Sequence, residues 1–167
     1  MAATANLKLT LAGELSNALD LGAAIYSPKY NASYGLADGT GANQIKQIFS
    51  DTRTIAASGA EDLDLAGGLT NALGTAIAFT KIKALIVKAS AANVNDVVIG
   101  GDGAAALASL FGDVTDTIRV KPGGLFCVVA PDNAGYAVTA TTADILQVAN
   151  SGSGTGVTYD ILILGTA

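Results

Sequence analysis

The feature that most constrains this chain is how short its apolar runs are and how regularly Gly, Pro, Asn or Asp cuts them off. The longest run, Leu125 to Ala130, has six residues. A membrane-spanning helix needs about 20, so no run predicts a membrane partner. Several runs instead alternate with period two, the repeat of a strand with one buried face. Leu7-Lys8-Leu9-Thr10-Leu11 puts three Leu on one face and Lys8 and Thr10 on the other. Asp62 to Leu65 alternates, and Ile82 to Lys88 follows a neighbouring strand candidate at Ala76 to Thr80. Gln44 to Phe49 is apolar at intervals of three and fits no strand cleanly.

The second half is clearer. Strands are predicted at Val94 to Ile99, Thr117 to Lys121, Tyr136 to Thr139, Ile145 to Asn150 and Val157 to Leu164. Pro122-Gly123-Gly124 is a strong turn signal. The unbroken run Leu125 to Ala130 suggests a strand buried on both faces. Ala104 to Phe111 is Ala-rich and predicts a helix of about two turns stopped by Gly112. Strands at roughly 8–12-residue spacing imply an all-β fold, a β-sandwich or jelly-roll-like body with one short helix and an extended N-terminal segment. The boundary is expected near residue 50: an N-terminal strand and extended arm or loop over 1–50, then a β-sandwich domain over 51–167.

Within the first part, Asn17 to Tyr34 reads as loop-like. Tyr26 to Asn43 is polar, Gly-rich and aperiodic, and Tyr26, Tyr30 and Tyr34 are spaced by four. A long irregular loop is usually functional or mobile. It is either an arm that orders against a neighbouring subunit with the Tyr residues as anchors, or a loop packed on its own domain. Leu7, Leu9 and Leu11 at the chain end form a second candidate interface, because an unpaired strand there would be sticky. Leu15 to Leu19 echoes Leu69 to Leu73, which chance in an Ala/Leu-rich chain explains.

Composition excludes much chemistry. There is no His, so no Ser-His-Asp triad and no imidazole metal site. One Cys excludes an intrachain disulfide framework. Nine Lys+Arg against fourteen Asp+Glu disfavour nucleic acid. The N-terminus lacks the pattern of a signal peptide, which predicts synthesis in the cytoplasm.

The remaining constellations read as structural. Gly100 to Gly103 precedes the predicted helix without a phosphate-loop pattern, and Asp102 is expected to cap that helix. Asp113 and Asp116 do not match a calcium loop. Glu61, Asp62 and Asp64 suggest a solvated strand face or pairs with Arg53 or Lys81, not a glycosidase dyad. Cys127, in an apolar run, is expected to be an inert buried thiol. The chain is therefore expected not to be an enzyme, with no catalytic residue, cofactor or metal.

Two stretches, residues 49–87 and 118–165, together resemble small structural proteins of tailed-bacteriophage virions. The resemblance lies in Pro122-Gly123-Gly124 followed by an apolar strand, Ala143-Asp144-Ile145-Leu146, Asn150-Ser151-Gly152 and Val157-Thr158-Tyr159-Asp160-Ile161. It covers about half the chain. It implies a β-sandwich assembled in many copies on a phage particle. Within that context the expected role is a capsid decoration, or cement, protein on the head surface. The expected partners are the major capsid protein and itself, as a trimer. A tail or baseplate component and a host-binding head fibre are the alternatives within the virion, and a secreted or sugar-binding β-sandwich is the non-viral one.

Overall fold

The computed structural model describes residues 2–101 and 103–167. The N-terminal part is four strands, β1 (Ala5–Ala12), β2 (Leu15–Leu19), β3 (Gly22–Tyr26) and β4 (Lys29–Asp38). The body follows with β5 (Gln44–Ile45), β6 (Gln47–Ile55), β7 (Ala60–Asp64), β8 (Leu69–Thr70), β9 (Ala76–Ile77), β10 (Lys81–Ala89) and β11 (Val97–Gly100). A single helical turn, α1 (Ala108–Phe111), precedes β12 (Thr117–Val120), β13 (Leu125–Val129), β14 (Tyr136–Ala137), β15 (Ile145–Asn150) and β16 (Val157–Thr166). The fold is all-β and its body is sandwich-like.

Two antiparallel sheets face each other. One has the order β13-β10-β16-β6, with β14 also pairing β10; the other has the order β12-β11-β15-β7. Their inner faces supply one core. Phe49, Leu85, Val87, Tyr159, Ile161 and Ile163 come from the first sheet, and Leu63, Val97, Ile99, Val120, Leu146 and Val148 from the second. Removing each such side chain from water contributes roughly 1.5–3 kcal/mol. The short β8–β9 hairpin and Phe79 close one end of the core.

A second, smaller cluster lies on the opposite face of the first sheet. Ala3, Leu36 and Ile45 pack there on Ala84 and Leu164, with Ala5, Ile48 and Val129 around them. This explains the three-residue interval at Gln44 to Phe49. The chain breaks step at Lys46, whose N–H donates to Gly165. Ile45 and Ile48 therefore face the outer cluster while Phe49 enters the main core.

Tertiary contacts overrule local pattern in three places. Residues 104–107 are not helical: Ala106 bridges Ile145 in parallel, and Leu107 N–H donates to the Ile145 carbonyl. Pairing to β15 overrides the Ala-rich propensity and leaves one turn. The predicted cap, Asp102, lies outside the described residues. The run Leu125 to Ala130 is not buried on both faces. It is the sheet-edge strand β13, with Phe126 and Val128 inward and Leu125 and Cys127 exposed. Partial desolvation pushes the Cys127 thiol up. The strand covered on both faces is β10. Its Lys83 is fully buried, with Nζ donating to the Asp132 carbonyl. The echo between 15–19 and 69–73 has no structural counterpart, since the first is a full strand and the second a two-residue strand entering a turn.

A polar hub joins the sheets where β6 turns into β7. Glu61 projects inward from β7, accepting from the buried Tyr159 hydroxyl at 2.8 Å and from Arg53 Nε at 2.7 Å. Arg53 also reaches Asp51 at 2.8 Å. The bond to Glu61 holds the Arg53 guanidinium above its ordinary pKa, and burial, then Glu61, pushes the Tyr159 phenol up. Strand alternation divides the predicted acidic cluster. Glu61 faces Arg53 and Tyr159, while Asp62 accepts from Gln147 and Asp64 from the Ala66 N–H.

Two stability predictions follow from this packing. Tyr159→Phe removes one hydrogen bond to a charged acceptor and should lower the unfolding free energy by about 1–2 kcal/mol, read by urea denaturation. Gly165 sits opposite the register shift between Ile82 and Ala84, where an added Cβ would run into the Lys81 carbonyl and come within 2.7 Å of Phe79 Cδ1. Gly165→Ala should therefore cost about 1–3 kcal/mol through overpacking.

Candidate functional site

The strands β1 and β4 pair antiparallel with Leu7 opposite Tyr34, Leu9 opposite Ala32 and Leu11 opposite Tyr30. Residues directly opposite on paired strands share a face. One face of the ribbon is therefore Leu7, Leu9, Leu11, Tyr30, Ala32 and Tyr34. The other carries Asn6, Lys8 and Thr10 against Gly35, Ser33 and Asn31. The two candidate interfaces read from the sequence are one surface. Tyr26 lies in the separate β2–β3 hairpin, opposite Leu15.

This corrects the loop reading of Asn17 to Tyr34 and of much of Tyr26 to Asn43. Those residues form β2, β3 and most of β4. The available signal was the even spacing of Tyr30 and Tyr34, which keeps both on one face of a strand. The small and polar Asn31, Ala32 and Ser33 between them hid it.

The ribbon is rooted firmly and then leaves the body. At the root, Ala3 and Leu36 are buried in the outer cluster. Asp38 accepts from the Ala3 N–H at 2.9 Å and pairs with Lys46 Nζ at 2.9 Å. Leu7 and Tyr34 are half-buried, while Leu9 and Leu11 are exposed by 55% and 53% and Tyr30 by 58%. The ladder breaks at Gly13 and Pro28, where the Gly13 N–H donates to the Pro28 carbonyl at 3.1 Å. Beyond the break, β2 and β3 form a hairpin whose residues are all exposed. Leu21, in the two-residue turn between Leu19 and Gly22, is fully exposed.

A groove of about 520 Å³ lies beside the root. Residues 2–4 form one wall, the start of β6 another, and the β8–β9 turn from Asn71 to Ile77 a third. Its lining includes Ala2, Ala72, Ala76, Ile48 and the largely exposed Leu73. Gln47, also in the lining, has a buried Oε1 without a hydrogen-bond partner among the described residues.

The other constellations stay local. Asp113 accepts from the Thr115 N–H and hydroxyl, which lowers its pKa, and Asp116 accepts from the Asp113 N–H. Both carboxylates thus brace one turn. Among the described residues, no group of three or more His, Cys, Asp or Glu is placed to hold a metal. No described helix is long and apolar enough to cross a membrane.

The root contact makes the arm sensitive to acid. Lys46, then the Ala3 N–H, holds the Asp38 carboxyl below its ordinary pKa. A depressed carboxylate pKa contributes stability that is complete above the unfolded value and is lost as pH falls through the folded one. The Ala3 amide resonance should therefore shift in an NMR titration below the ordinary Asp range, and Asp38→Asn should abolish that titration. Comparison with known proteins finds no matching family model, no matching curated protein and no matching solved structure.

Proposed function

We propose that the protein is a structural component of a tailed-bacteriophage virion, of the capsid-decoration type, which binds the assembled head and stabilises it. The observation that carries this reading is the amphipathic β-arm. It is firmly rooted, yet it holds a row of Leu and Tyr side chains in solvent. Monomeric proteins rarely expose contiguous apolar patches above about 300–600 Å² unless a partner uses them. An arm of this kind serves assembly.

The phage context is supported by the resemblance over residues 49–87 and 118–165. These stretches run from within β6 to within β10 and from within β12 to within β16. They thus make up most of the sandwich and leave out the arm. The sandwich is the shared scaffold in this reading, and the arm is the device for joining neighbours. The proposed partners are the major capsid protein and further copies of this chain. Weak contacts presented many times on a repeating lattice add through effective concentration, so this adhesion needs no catalytic group.

The test uses purified heads lacking the protein. Wild-type protein should bind assembled heads, not free capsid subunits, and should raise the temperature at which heads rupture. Buried interface Tyr residues typically cost at least ~1 kcal/mol each when truncated. Replacing Tyr26, Tyr30 and Tyr34 together by Ala should therefore lower head occupancy at least tenfold while the variant's thermal unfolding stays close to wild type. Normal decoration by the folded triple variant would remove the arm from the reading. Polymerisation into rings or tubes without head binding would transfer the protein to the tail.

A further inference from the structure

We propose that the arm docks on a second copy of this chain, with the β2–β3 tip of one copy seated in the groove beside the arm root of the next. Area and reach support it. The arm exposes eight large Leu, Ile and Tyr side chains, each by more than half. At roughly 110 Å² exposed for each, below the roughly 150–250 Å² of a whole aromatic side chain, they present on the order of 900 Å² of apolar surface. One side of a standard protein interface buries about 800 Å², a size the arm matches when both faces of the β2–β3 tip are covered, since Ile25 faces away from Leu15 and Tyr26.

Charge is compatible with the same partner. Residues 5–30 hold two Lys and two acidic residues and are neutral, while the rest of the chain carries the whole net charge of −5. A neutral arm approaches an acidic copy without net repulsion.

Reach then excludes the arm's own groove. Residues 2–4 form part of that groove and lead directly into β1. The eight residues of β1 rise about 26 Å, which carries the tip away from the root while β1 stays paired with β4. The groove can take a tip only from another molecule. Its chemistry suits one, since small Ala side chains leave space beside Ile48, Ile77 and the exposed Leu73. Tip-to-root contact is heterologous, so copies form a reciprocal pair or a ring where the rotation closes and an open filament where it does not.

Self-association needs no phage, so this inference stands apart from the virion reading. The test begins with Cys127→Ser, which removes the native exposed thiol. Leu21→Cys and Leu73→Cys are then introduced singly into two differently tagged copies, which are co-expressed and treated with a short bis-maleimide. The expected product is a cross-link between the two tags. Light scattering should give an oligomer for wild type, and Leu19→Asp with Leu21→Asp should return it to the 16.5 kDa monomer with an unchanged sandwich melt. A wild-type monomer at high concentration would overturn the inference, as would cross-linking only between Leu21→Cys copies or an oligomer that survives the Asp variant. A monomer that still decorates heads would leave the virion reading intact and overturn this inference, whereas an oligomer that ignores heads would leave this inference intact and remove the head-decoration role.

Discussion

The pairing of β10 with β16 carries the rest of the structure, because both of its faces are covered. One face supplies Leu85, Val87, Tyr159, Ile161 and Ile163 to the sandwich core. The other supplies Ala84 and Leu164 to the cluster that seats the arm. The sandwich and the arm are thus built on the same two strands. The small Ala84 side chain lets a second layer approach there, and a larger one would push that layer away. The arm's rigidity at its root follows from the same contact, and so does its exposure farther out, where no strand of the body lies beneath it.

Polar groups in this fold hold geometry. Glu61 ties the two sheets through Tyr159 and Arg53, and Asp38 ties the chain start to Lys46. Asp96 receives Lys121 at 2.9 Å beside β11 and β12. Asn150 spans from β15 to the Ala56 and Thr155 carbonyls, closing the turn that precedes β16. Each of these carboxylates or amides is engaged by neighbours that the fold must bring together. Their bonds stabilise a scaffold, and the arm presents that scaffold's largest set of exposed apolar side chains.

The β character of the chain was legible from short runs and turn residues. Pro122-Gly123-Gly124 forms the expected turn, with Gly123 at a φ of 74° and the Gly124 N–H donating to Lys121. The boundaries of β15 were legible as well, because its buried and half-buried residues alternate without interruption. Burial was less legible. Leu125 to Ala130 is apolar throughout but is an edge strand, while β10 conceals a buried lysine. Hydrophobicity along a run does not say which strand is central, since that depends on pairing between distant segments.

The candidate surface divides in the same way. Local sequence determined that Leu7, Leu9 and Leu11 share a face, because side-chain direction in a strand follows parity alone. Parity also placed Tyr30 and Tyr34 on one face once their segment was a strand. Only the tertiary structure decided that the two rows lie side by side, because antiparallel register sets Leu7 against Tyr34 and Leu11 against Tyr30. It also decided that the rows face solvent. An apolar stripe of this pattern is buried in most proteins, and nothing in residues 5–36 specifies whether another layer covers it. That outcome depends on how far the body's sheets extend, which is set by strands that follow later in the chain.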